Sequence, residues 1–169
     1  MPLTKLTSLG ITDGTIVNAD INASAAIAAS KLSGSLGKVL QVVTSSTNTQ
    51  QTTTSSSFVD ATSLSVSITP SSTSNKIFII CTTNGYSGNT SANSEYTILR
   101  GATNLATNFF NYVVGTDIAG QISMVVLDSP NTTSSTTYKA QFRRSSASGT
   151  AYVQVGSSFG QITAFEIAG

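Results

Sequence analysis

The sequence predicts an all-β fold: an antiparallel two-sheet sandwich with jelly-roll-like connections, carrying an N-terminal anchoring segment and assembling as a homotrimer. Three observations lead there. From residue 38 on, apolar residues fall in short β-branched runs that recur about every 10 to 15 residues without a helical period, giving eight or nine strands. Of the 169 residues, 54 are Ser or Thr and only 9% are charged, so hydroxyls replace charges on the solvent-facing half of each strand. The first 37 residues, by contrast, space their large aliphatics five apart.

Those aliphatics are Leu6, Ile11, Ile16, Ile21, Ile27 and Leu32, at intervals of five, five, five, six and five. A helix repeats every 3.6 residues and a strand every 2, so neither gathers them on one face. They need copies of the segment wound about a common axis, a host surface, or the coil of a pentapeptide solenoid. Only ADINA, Ala19 to Ala23, fits the solenoid pattern, and so few repeats do not stack. The interchain or docked arrangement is therefore expected, ahead of a solenoid or a flexible leader rich in Ser, Thr, Asn and Gly. Asp20 or Asn22 is placed to cap a short helix through ASAAIAASKL, with Gly34 just past its end. Gly37 marks the boundary between an anchor and trimerisation segment, 1–37, and a head, 38–169.

In the head, KVLQVVTSS (38–46) reads as the first strand and STNTQQTTTSSS (46–57) as a long polar connection. SLSVSITP sets Leu64, Val66 and Ile68 against Ser65 and Ser67 and stops at Pro70. After a turn at SSTSN, KIFIICTTNGY (76–86) is apolar at successive positions, which predicts cover on both faces, one from the opposite sheet and one from a neighbouring subunit or the anchor. Asn84-Gly85 and GNTSANS read as turn and loop. EYTILR, a turn at Gly101 and a strand around residues 105–112 follow, then QISMVVLDSP (121–130), again expected to be covered on both faces. TTYKAQFRRSS alternates Tyr138, Ala140 and Phe142 against Lys139, Gln141 and Arg143, and AYVQV and ITAFEIA close the chain.

The segment GTIVNADINASAAIAASKLSG, Gly14 to Gly34, resembles the stretch that precedes or punctuates the heads of fibre proteins of tailed bacteriophages, notably those of cyanobacteria and other aquatic bacteria. The rest of the chain is similar to that group in style, with Ser/Thr-rich strands ending in the apolar GQITAFEIAG. The resemblance implies a trimeric fibre or decoration protein of the virion surface, made in the host bacterial cytoplasm. Its expected partners are itself and phage capsid or tail proteins. A short chain whose anchor starts at Met1 favours a head fibre or capsid decoration. A tail-fibre tip that attaches to host-surface glycans is the alternative, and a sugar-binding adhesin outside any virion is a second one.

Catalysis is not expected. The chain has no histidine, which removes the commonest general base and zinc ligand, and one cysteine, Cys81, which precludes a thiolate cluster. Flanked by IFII, Cys81 reads as a small buried hydrophobe. Asp60, Glu95, Asp117, Asp128 and Glu166 look like isolated, solvated acids near turns and strand ends; calcium at Asp117 or Asp128 is disfavoured for want of clustered acids. No cofactor or metal is expected. A net charge of +1 gives no footprint for nucleic acid, and the Arg143-Arg144 doublet reads as a strand end. MPLTKLTSLG lacks the apolar core of a signal peptide, and no run approaches membrane-spanning length. Tyr86, Tyr96 and Tyr112 fall near loops of Asn, Ser, Thr and Gly, the chemistry a pyranose ring needs; Tyr86, Asn89 and Tyr112 are the candidate glycan contacts.

Overall fold

The computed structural model describes residues 38–88, 93–110, 118–145 and 148–169. The expectations for Leu6, Ile11, Ile16, Ile21, Ile27 and Leu32, and for a capped helix, lie outside these residues.

Among the described residues there are ten strands: β1 Val39–Thr47, β2 Gln51–Thr53, β3 Val59–Ile68, β4 Lys76–Gly88, β5 Ser94–Arg100, β6 Thr103–Phe110, β7 Ile118–Asp128, β8 Thr136–Arg144, β9 Thr150–Val153 and β10 Gly160–Ile167. All pairings are antiparallel. Sheet 1 runs β1-β10-β4, with β7 on the other edge of β4, and sheet 2 runs β3-β8-β5-β6. Beyond β10, β4 pairs with β9, and beyond β1 the short β2 pairs with β9. The two short strands thus continue their longer neighbours: β1–β2 is one strand interrupted at 48–50, and β9–β10 one strand interrupted at 154–159. Counted that way, each sheet has four strands. The chain crosses between sheets at every connection except the β5–β6 hairpin, which is the order of an eight-stranded jelly roll.

Period-two alternation builds the core. Leu64, Val66 and Ile68 of β3, Ile77, Ile79 and Cys81 of β4, Tyr96 and Ile98 of β5, and Tyr138, Ala140 and Phe142 of β8 all point inward and are buried. Ile122, Met124, Ile162 and Ala164 join them. Each large side chain removed from water contributes roughly 1.5–3 kcal/mol before entropy is counted. In β3 the register jumps between Asp60 and Ser65, with Ser63 at φ 67°; the irregularity turns Ala61 inward three residues before Leu64 instead of two. Gly101, at φ +55°, is the first central residue of the two-residue β5–β6 turn, a left-handed position that glycine takes without strain.

Two sequence expectations need correction here. The polar 46–57 connection contains β2, because Gln51–Thr53 finds β9 as a ladder partner. Asn84-Gly85 is not a turn: β4 runs through it to Gly88, with Gly85 paired to Gly120 and Val153. Gly85 is required for a different reason. The Tyr96 ring from sheet 2 lies across it, so that a Cβ there would sit 2.9 Å from Tyr96 Cζ, while the Tyr96 hydroxyl donates to the Tyr152 carbonyl at 2.9 Å.

The expectation of solvated acids fails at two positions, both in one row of sheet 1. Glu166 and Asp128 flank Ile77 in register, all three pointing into the sandwich. Arg100 Nη1 donates to the two Asp128 oxygens at 2.8 and 2.9 Å, and the Tyr138 hydroxyl donates to Oδ2 at 2.7 Å, so a β5–β8 pair from sheet 2 is tied to β7 of sheet 1. Burial, and then the Asp128 carboxylate it serves, push the Tyr138 hydroxyl well above the usual phenol range. Glu166 accepts from Asn75 Nδ2 at 2.6 Å, Gln41 Nε2 at 2.7 Å, and the backbone N–H and hydroxyl of Ser71 at 2.6 and 2.8 Å. Its burial pushes the carboxyl up, but these donors outweigh it and hold the pKa at about 2.

The Glu166 shift sets an acid limit. A carboxylate with a depressed folded-state pKa adds stability above its unfolded value and loses it as pH falls to the folded one. Urea unfolding should therefore show a loss on the order of 3 kcal/mol from this group between pH about 4.5 and about 2. Glu166→Gln should be less stable at pH 6 and have a flatter acid limb; equal slopes for the two proteins below pH 4.5 would refute the assignment. Gly85→Ala should cost about 1–3 kcal/mol by forcing the Tyr96 ring aside, read as a lower urea midpoint at unchanged slope.

Candidate interaction face

The two sheets present opposite chemistry to the outside. On sheet 2 the outward positions of β3, β8 and β5 carry ion pairs and hydroxyls. Lys139 Nζ meets Asp60 at 2.8 Å, Arg143 Nη2 meets Glu95 at 2.6 Å, and Ser67 and Thr137 share a hydrogen bond of 2.8 Å. Gln141 donates to Asp60 at 2.6 Å, and the Arg143 guanidinium lies 4.7 Å from the centre of the Phe58 ring. The Lys139 and Gln141 donors lower the Asp60 pKa. These groups are satisfied in water and offer little to a partner.

Sheet 1 is different. Its hydrogen-bonded register lines up Val42, Phe165, Phe78 and Leu127 in one outward row across all four strands, and Thr44, Thr163, Ile80 and Val125 in the next. Val42, Val125 and Leu127 are 54, 55 and 59% exposed, and Val39 and Leu40 extend the apolar corner at the start of β1. Phe78 and Phe165 are half-buried against each other, ring centres 6.1 Å apart and tilted by 44°. Among the described residues, Lys76 is the one charged side chain at an outward position of β1, β4, β7 or β10; it sits at the border, where it donates to Ser129 Oγ at 2.9 Å. Hydroxyls and amides follow on the other side: Thr82, Ser123 and Gln161 pair in the third row. The opposite sheet supplies the expected inner cover; the expected outer cover, a neighbouring subunit or the anchor, lies outside the described residues. The described residues leave the outward halves of the Ile77–Ile80 and Gln121–Asp128 runs uncovered.

At the far end of the same face, Tyr86 of β4 pairs in register with Tyr152 of β9, rings 4.9 Å apart and edge-on at 81°. Of the three candidate glycan contacts, Tyr86 is therefore on a strand and half-buried, while Asn89 and Tyr112 lie outside the described residues. Tyr96 is not near the surface; it points into the core, where Gly85 makes room for it. Tyr152 was missed by sequence reasoning, although the alternation of AYVQV around buried Ala151 and Val153 already turned it outward. Beside this pair the β9–β10 interruption holds Gln154, Gly156 and Ser157 at positive φ and exposes Phe159.

No set of three or more His, Cys, Asp or Glu side chains able to hold a metal occurs among the described residues, and no helix there is long and apolar enough to cross a membrane. Cys81 is buried, its thiol pushed up to about 12 by burial. Both Asp128 oxygens are taken by Arg100 and Tyr138. Asp117 lies outside the described residues. Arg143 is committed to Glu95 and Ser56, and Arg144 closes β8 with its backbone N–H on the Ser55 carbonyl at 2.9 Å.

No protein-family model and no curated protein matches this chain. Among solved structures it is similar to that of the infectious bursal disease virus Gx strain, at 16% identity and a TM-score of 0.39, covering 76% of this chain and 38% of that one. The T13 particle of the same virus matches at 15% identity and 0.39, covering 77 and 36%, and its VP2 subviral particle at 15% and 0.35, covering 76 and 38%. The chain spans under two-fifths of the length of each of these.

Proposed function

We propose that this chain is a structural protein of a tailed-bacteriophage virion surface, a short homotrimeric head fibre or capsid decoration attached through residues 1–37. One observation of the head carries the reading: a jelly roll with one outer face of ion pairs and hydroxyls and the other apolar, the asymmetry of a subunit that is wet on one side and covered on the other. Jelly rolls serve both viral shells and lectins, so the fold narrows the field without choosing. The Gly14–Gly34 resemblance to phage fibre segments supports the virion, and the pentad aliphatics support attachment or trimerisation by that segment.

The Tyr86–Tyr152 pair favours one second reading, a receptor-binding tip that stacks tyrosine faces on host glycans. Such binding needs no metal and no titrating histidine, and would survive chelators and a change from pH 8 to pH 5.

Phage particles lacking the protein separate the two. A decoration stabilises the assembled shell by mass action, so its loss should lower survival of a heat step by tenfold or more and leave adsorption to cells unchanged. Lost adsorption with unchanged heat survival would overturn the decoration reading in favour of the tip. Ile16→Asp or Ile21→Asp should keep the protein off the particle, because an unpaired charge in a packed apolar contact is costly. Full incorporation of either variant would rule out the anchor.

A further inference from the structure

We propose that the apolar outer face of sheet 1, centred on Val42, Phe165, Phe78, Leu127, Ile80 and Val125, is where copies of this chain meet. The inference rests on the trimeric reading above and assigns the contact to a face of the head. Across four strands at about 4.8 Å and along two to three side-chain rows, the patch covers roughly 300 Å². A standard interface buries about 800 Å² per partner, so the patch is the size of an interface core and needs a rim. The rim is present as Thr44, Thr163, Thr82 and Ser123, all uncharged. An aromatic centre, a hydroxyl border and no charge between them is the anatomy of a protein–protein contact.

The occupant is a second copy for two reasons. The face carries a single charge, Lys76 at its border, too little to steer or select a foreign partner, whereas copies set around one axis all turn the same apolar rows toward it. The chain also enters sheet 1 on this apolar corner, at Val39 and Leu40, directly after the segment whose five-residue aliphatic spacing calls for copies of itself or a host surface. Sheet 2, laced by its own ion pairs, is left to solvent.

The test uses the full chain with one engineered thiol and a bis-maleimide of about 10 Å span, the distance between face-to-face sheets. Cys81 is buried and stays silent. Light scattering should give a mass above the 17.4 kDa of one chain. Val125→Cys should cross-link between copies, Ser67→Cys on the sheet 2 face should not, and adding Leu127→Asp should cut the Val125→Cys yield at least fivefold with the far-ultraviolet circular dichroism unchanged. Because Val125 and Leu127 are more than half exposed, neither change removes a core contact. A 17.4 kDa monomer at micromolar concentration, equal yields from the two thiols, or a yield untouched by Leu127→Asp would overturn the proposal. These readouts report self-association of purified protein only, so their failure is distinct from failure of the virion reading, which is judged on particles.

Discussion

The rest of the structure depends on β4 being hydrogen-bonded along both edges, to β10 and β9 on one side and to β7 on the other. A strand held that way cannot turn about its axis, so its side chains alternate strictly between the two faces. The run Ile77, Phe78, Ile79, Ile80 is then divided by geometry: Ile77 and Ile79 go to the core, Phe78 and Ile80 to the outside. The flanking strands repeat the division with Phe165, Val125 and Leu127. An apolar outer face is thus the necessary counterpart of a central strand that is apolar at five successive positions, Ile77 to Cys81.

The same register places the two buried carboxylates. Glu166, Ile77 and Asp128 form one inward row, and the polar groups close one end of a mainly apolar interior. Neither acid is tolerable there without partners. Each has them from another part of the chain: Arg100 and Tyr138 cross from sheet 2 to Asp128, while Gln41, Ser71 and Asn75 bring the edge strand and the β3–β4 turn to Glu166. The clamps fix which strands lie over one another at that end, and the Tyr96 ring over Gly85 does the same further along β4.

The same registers set the chemistry of the two outer faces. Sheet 2 can alternate apolar against polar because Lys139, Gln141 and Arg143 find acids on the neighbouring strands. Sheet 1 has no such outward charges except Lys76 and turns apolar rows outward instead. The proposed place in an assembly rests on this difference between the two outer faces.

The sequence by itself determined the all-β two-sheet sandwich, the strand alternation of β3 and β8, the turn at Gly101 and the buried Cys81, because period two and turn chemistry are local properties. It also holds two further local signals: Glu166 shares its phase with Ile162 and Ala164, and Tyr152 is out of phase with Ala151 and Val153. Only the tertiary structure decided which acids are buried, since that depends on donors up to 125 residues away in the chain. The same holds for the role of Gly85, set by a ring from the opposite sheet, and for the joining of β2 to β9, a pairing partner no local pattern announces. The outward apolar face was legible as runs of apolar residues, but its extent was not. Rows across four strands exist only once register is fixed, and register is a property of the folded sheet.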